Sequence, residues 1–156
     1  EYRPQFLSEL APSADLLPLV AIYEGLLGLE QQSPTTVSRS SFVSNYQDRY
    51  GGEPVQFADG LYDAIYLLAL AILRAESVAP SQIAANLQAV SVGGTPIRPT
   101  EFASGRDLLS AGIEIDYNGA AGPLDFDERG DILSGTYRIW RVENGSFTVI
   151  ETTVFP

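Results

Sequence analysis

The densest group of side chains able to do chemistry is Asp125, Asp127, Glu128 and Asp131, with Gly130 among them. Their spacing looks like the opening of a calcium loop, in which carboxylates alternate and a glycine makes the sharp turn. The register then fails. Counted from Asp125, the fifth position is Arg129 and the twelfth is Thr136, so a cation takes one ligand slot and the bidentate glutamate is missing. A glycosidase pair drawn from the same cluster fails differently, because that mechanism needs two carboxyl groups facing across a pocket rather than neighbours on one loop. The chain has no His and no Cys, which removes the commonest base near neutral pH, the commonest zinc ligand, thiolate nucleophiles and disulfides. Gly51-Gly52 and Gly93-Gly94 lack the following Lys-Ser/Thr or spaced third glycine of a phosphate-cradling loop and read as helix stops. The residues thus describe a protein that is not an enzyme and carries no metal or other cofactor, with the acidic cluster as a solvated turn.

Composition narrows the partners. With 9 Lys and Arg against 20 Asp and Glu, the formal charge of −11 repels phosphate backbones and anionic lipid surfaces. Nucleic acid is excluded as an expected partner. A length of 156 residues suffices for a real hydrophobic core. No apolar run approaches the roughly 20 residues of a membrane span, and Glu1-Tyr2-Arg3-Pro4 is not a signal peptide. A chain without Met reads as a processed product or a piece, with any export signal upstream.

The elements follow from periodicity and punctuation. Tyr2–Leu10 predicts a short helix, and the Gly-interrupted apolar run Leu19–Leu29 predicts a buried strand, followed by a polar turn at Glu30–Pro34. Thr35 or Thr36 caps a helix with Phe42, Tyr46 and Tyr50 at four-residue spacing, stopped by Gly51-Gly52. Asp59 is expected to cap the strongest helix, in which Leu61, Ile65, Leu68 and Ile72 form one apolar stripe and Ala64, Leu67, Ala69, Leu70 and Ala71 widen it, implying burial on most sides. Tyr62 and Tyr66, four apart on it, read as core with hydroxyls reaching a rim. A further helix starts at Pro80 and buries Ile83, Leu87 and Val90, closed by Gly93-Gly94 and Pro96. A short amphipathic stretch spans Phe102–Leu109. Alternation then appears in Ile113–Ile115 and Leu124–Phe126, with a turn at Gly119–Pro123. Asn144-Gly145 joins Tyr137–Val142 to Phe147–Thr153 as a β-hairpin, because both turn residues tolerate positive φ. The sum is an α/β layer architecture.

Two stretches, Phe57-Ala58-Asp59-Gly60-Leu61-Tyr62-Asp63-Ala64-Ile65-Tyr66 running on to Ile72, and Gly119-Ala120-Ala121-Gly122-Pro123-Leu124-Asp125-Phe126-Asp127-Glu128-Arg129-Gly130-Asp131, resemble the type I periplasmic-binding proteins of ABC importers, branched-chain amino acid group. Phe42–Pro54, with Tyr46, Tyr50-Gly51 and Glu53-Pro54, is similar to the segment just upstream in that family. The likeness runs from about Tyr23 to the end. It implies a three-layer α/β/α clamshell, here incomplete, with a C-terminal β-hairpin and a ligand held between two lobes. By analogy, residues 1–30 belong to the second lobe, 31–132 return to the first, and 133–156 cross back as the final strands. The resemblance implies capture of a small polar ligand such as an amino acid, and a membrane permease as partner. It also implies a periplasmic or other extracytoplasmic location, with or without a lipid anchor. A sensor domain of a receptor or regulator shares the fold and stays open as an alternative. Phe57 matches an aromatic position that faces the ligand in the amino acid binding members, and Asp59, Tyr62 and Tyr23 join it as expected ligand-binding residues. Ordinary packing of Phe57 against Tyr62 or the loop at Pro54 remains the competing expectation. The family's main ligand-carboxylate and ammonium partners lie upstream of this sequence. The isolated chain is therefore expected to leave an apolar surface where missing segments pack, and to self-associate.

Overall fold

The computed structural model describes residues 22–155. The expected helix Tyr2–Leu10 and the start of the expected strand at Leu19 lie outside the described residues. In chain order the elements are β1 (Leu27–Gln32), α1 (Val37–Tyr50), α2 (Ala58–Ala75), α3 (Pro80–Leu87), β2 (Thr95–Ile97), α4 (Phe102–Ser110), β3 (Ile115–Tyr117), β4 (Gly135–Glu143) and β5 (Ser146–Phe155), with short 3-10 turns at Gln88–Val90 and Pro99–Glu101. This is the α/β class expected from the sequence. The described residues divide into two compact units, Ser33–Ser134 and a second made of those up to Gln32 together with Gly135–Phe155.

In the Ser33–Ser134 unit, helix ends are set by side chains the sequence marks clearly. Thr36 caps α1 by accepting the amide of Arg39 at 3.0 Å, and Gly51 ends it at φ 72, donating its N–H to Gln47 O at 2.8 Å. Pro80 occupies the first turn of α3. The start of α2 differs from expectation. Phe57, not Asp59, is the cap residue, it has φ 67, and no side chain caps the helix; Asp59 lies in the first turn. Asp59 is drawn inward by two partners from outside its helix, which a local capping pattern does not anticipate.

The face α2 buries is also not the one its strongest stripe suggests. Leu67, Leu70 and Ala71 enter the core with Val90, Ile97, Ile115, Tyr117 and Leu124. Leu61, Ile65 and Leu68 are instead 67%, 61% and 45% exposed. Both sets recur at helical spacing on an 18-residue helix that is apolar nearly all round, so periodicity alone does not choose between them. The choice is made by close approach, since a Cβ on Gly105 of α4 would overlap Ile97 and touch Leu70. Burying Leu70 fully is worth roughly 1.5–3 kcal/mol. β2 and β3 pair in parallel, Thr95 opposite Ile115 and Ile97 opposite Tyr117. Leu124–Phe126 is not a strand, and only isolated bridges, Asn118 to Pro123 and Phe126 to Ile132, flank it.

The other unit is a three-stranded antiparallel sheet in the order β1-β4-β5. The expected strand Leu19–Leu29 begins only at Leu27 and continues to Gln32, through residues read as a turn. Cross-strand partners override local polarity there: Glu30 forms an ion pair with Arg138 at 2.5 Å, and Gly28 leaves room for the Trp140 ring, which any Cβ would overlap. Trp140 meets Phe147 edge-on at 4.7 Å. The hairpin is as expected, with Asn144 at φ 52 and Gly145 at φ 71, and the Glu24 carboxylate accepts both their amides at 2.9 and 3.3 Å.

Candidate functional site

Two of the expected ligand-binding residues, Asp59 and Tyr62, meet at the head of α2. Asp59 is buried, forms an ion pair with Arg39 of α1 at 2.6 Å and accepts the hydroxyl of Ser33. The Arg39 guanidinium lies 5.6 Å from the centre of the Phe42 ring, and Phe42 packs on Tyr62 at 5.0 Å. Tyr62 continues to Tyr66 at 4.8 Å between rings, the hydroxyls 3.4 Å apart. Burial pushes the Tyr62 phenol well above its ordinary range, and the Tyr66 hydroxyl adds to the shift. Phe57, one turn before Tyr62, is 62% exposed in a left-handed backbone conformation. Tyr23 lies in a turn of the other unit, half-buried. The structure thus joins Asp59 and Tyr62 through α1 and leaves Phe57 on the surface.

One residue escaped the sequence reading. Asp63 is fully buried and accepts three hydrogen bonds, from the Tyr117 hydroxyl at 2.9 Å and from the amides of Ala120 at 2.9 Å and Ala121 at 2.7 Å. A Cβ on Gly119 would overlap its carboxylate, so the loop closes around it only as glycine allows. Burial pushes the Asp63 carboxyl up, against the pull of those three donors. The Tyr117 phenol is pushed far up by burial first and by Asp63 second. The signal was present: Asp63 is the one charge between Asp59 and Arg74 in an otherwise apolar helix, and buried carboxylates require partners.

The loop that Asp63 holds forms part of a cleft of about 540 Å³. Its walls include the start of α1 at Thr36–Ser38, Pro96 with Asp116 on the strand pair, Arg98 with Glu101, and the loop segments Asn118-Gly119 and Gly122-Pro123. Ser38 donates to Asn118 O at 3.0 Å, tying α1 to the loop. Strand alternation explains the lining: Ile115 and Tyr117 point into the core, so Asp116 points the other way. Burial pushes the Asp116 carboxyl up, and the charge of Asp125 adds to this. None of Phe57, Asp59 and Tyr62 lines this cleft. In the acidic loop, Asp127 accepts the amides of Arg129 at 2.8 Å and Asp131 at 2.9 Å, using its carboxylate inside the turn.

Comparison with known proteins places this arrangement. The substrate-binding protein BasB of a chemotactic signal transduction system in Halobacterium salinarum is 39% identical over 74 residues, 46% of this chain and 18% of BasB. The crystal structure of the leucine-binding protein LivK from Thermotoga maritima superposes with a TM-score of 0.55 at 25% identity, covering 91% of this chain and 34% of LivK. The matched part of the chain spans only about a fifth of BasB and a third of LivK. The profile of the receptor family ligand binding region matches residues 5–145. The chain therefore belongs to that family of ligand-binding proteins and carries part of the type I periplasmic-binding-protein fold.

Proposed function

We propose that the protein containing this chain is the extracytoplasmic solute-binding component of an ABC importer, capturing a small polar ligand such as an amino acid between two lobes. The observation that carries this reading is the family match over residues 5–145, and the leucine-binding neighbour favours an amino acid as ligand. In this reading residues 1–30 and 133–156 belong to the second lobe and 31–132 to the first, supported by unit boundaries at Gln32/Ser33 and Ser134/Gly135. Closing two lobes on a solute desolvates it in a cleft where a few polar groups fix its orientation, and no reactive residue is needed. Phe57 offers its exposed ring to the ligand. Asp59 and Tyr62 hold the helix head from which it projects, and Tyr23 is a further candidate ligand-binding residue. The partner is a membrane permease, and a lipid anchor would keep the receptor near it.

A second reading, a ligand-sensing domain that reports to a signalling receptor, is favoured by the similarity to a chemotactic substrate-binding protein. Deleting the complete gene separates them. Loss of labelled amino acid uptake with chemotaxis intact supports the importer. Loss of chemotaxis with uptake intact supports the sensor and overturns the importer.

A further inference from the structure

The two open faces of the Ser33–Ser134 unit differ in chemistry. The exposed side of α2 is apolar, as a packing surface is, whereas the open side of the parallel strand pair carries Asp116 beside Pro96 and is flanked by Arg98 and Glu101. Parallel sheets are normally covered on both faces by apolar layers. A carboxylate at the centre of that face suits a wet cleft instead. Within the cleft, the cation already has a partner: Arg98 lies 3.8 Å from Glu101, whose carboxylate also accepts the Arg98 amide at 2.9 Å. Among the described residues no ion pair reaches Asp116. Burial first and the neighbouring charge of Asp125 second disfavour its ionised form, against the pull of a hydrogen bond from the Asn118 side chain. A ligand cation would offset the Asp125 charge and favour the ionised carboxylate against its burial, and the space of about 540 Å³ is that of a small-molecule site.

We propose that this cleft is a second binding site, taking a small primary ammonium compound whose cationic group pairs with Asp116 and whose carboxylate, where it has one, reaches Arg98. The site needs only residues 33–134. The test is titration of the 156-residue chain, followed by amide NMR, with ethanolamine, glycine and acetate as separate probes. Ethanolamine and glycine are expected to shift the amides of Asn118 and Gly119, and acetate is not. Asp116→Asn, which keeps the strand and the side-chain shape, is expected to weaken both ammonium probes by about tenfold or more, the loss of one charge partner. Arg98→Gln is expected to weaken glycine and leave ethanolamine unchanged. Spectra of both variants away from the cleft report whether the fold is kept. Silence with all three probes, acetate matching glycine, or ammonium binding undiminished in a folded Asp116→Asn chain would each overturn the inference. Because the complete protein is not involved, failure here leaves the importer reading untouched.

Discussion

Asp59 and Asp63 lie one helical turn apart on α2, both buried, and meet that burial in different ways. Asp59 takes a guanidinium and a hydroxyl, whereas Asp63 takes two backbone amides and a phenol. Removing the Asp63 carboxylate strands all three donors, so Asp63→Ala is expected to cost about 3 kcal/mol or more, read from urea unfolding. The pH dependence carries a sign. With its folded-state pKa raised by burial, Asp63 makes the native chain bind more protons than the unfolded chain between the unfolded value and the raised one. Its contribution to stability therefore falls as pH rises through that window and is level above it. Asp63→Asn is neutral throughout. Urea midpoints taken from about pH 3 to about pH 7 should show wild type losing ground to the variant as pH rises; a difference that grows the other way contradicts the assignment. In the sequence Asp59 read as a cap because Asp before an apolar run usually is one. Only Arg39 and Ser33, distant in sequence, reveal its true role.

At the scale of elements, what was legible depended on whether the cause was local. Thr36, Gly51, Pro80 and Asn144-Gly145 act within a few residues, and the helix and hairpin ends they mark are observed where expected. β1 and β2 owe their existence to partners far along the chain, Arg138 and Trp140 for one and Ile115–Tyr117 for the other. Neither was read. Helix α2 is the mixed case, its existence plain and its orientation not. Its two apolar faces predict different mutational behaviour. Leu70→Ala should cost about 2–5 kcal/mol, as core truncations do. Leu61→Glu with Ile65→Glu should change stability little, since both positions are exposed. We expect this face to drive self-association of the isolated chain, so sedimentation equilibrium should find oligomers that the double variant loses. A compact wild-type monomer at high concentration would contradict that expectation.

For the whole molecule, composition weighed against partners and reaction plans more than it identified any: the acidic charge disfavours nucleic acid, and a chain without His or Cys lacks the commonest general base and zinc ligand. The family came from the ordered Tyr62-Asp63-Ala64 helix and Gly122-Pro123 to Gly130-Asp131 turn, which the family match across residues 5–145 now supports. The ligand was not legible, because the proposed binding surface draws on residues beyond this chain. Of the four expected site residues, only Phe57 is surface-exposed at the head of α2, which makes it the most direct probe of the central claim. In the complete protein, calorimetric titration with amino acids should show binding that Phe57→Ala weakens by about 1–3 kcal/mol, while the denaturant midpoint moves less. Intact affinity in Phe57→Ala together with a large loss of stability, or no amino acid binding by the complete protein, would contradict it.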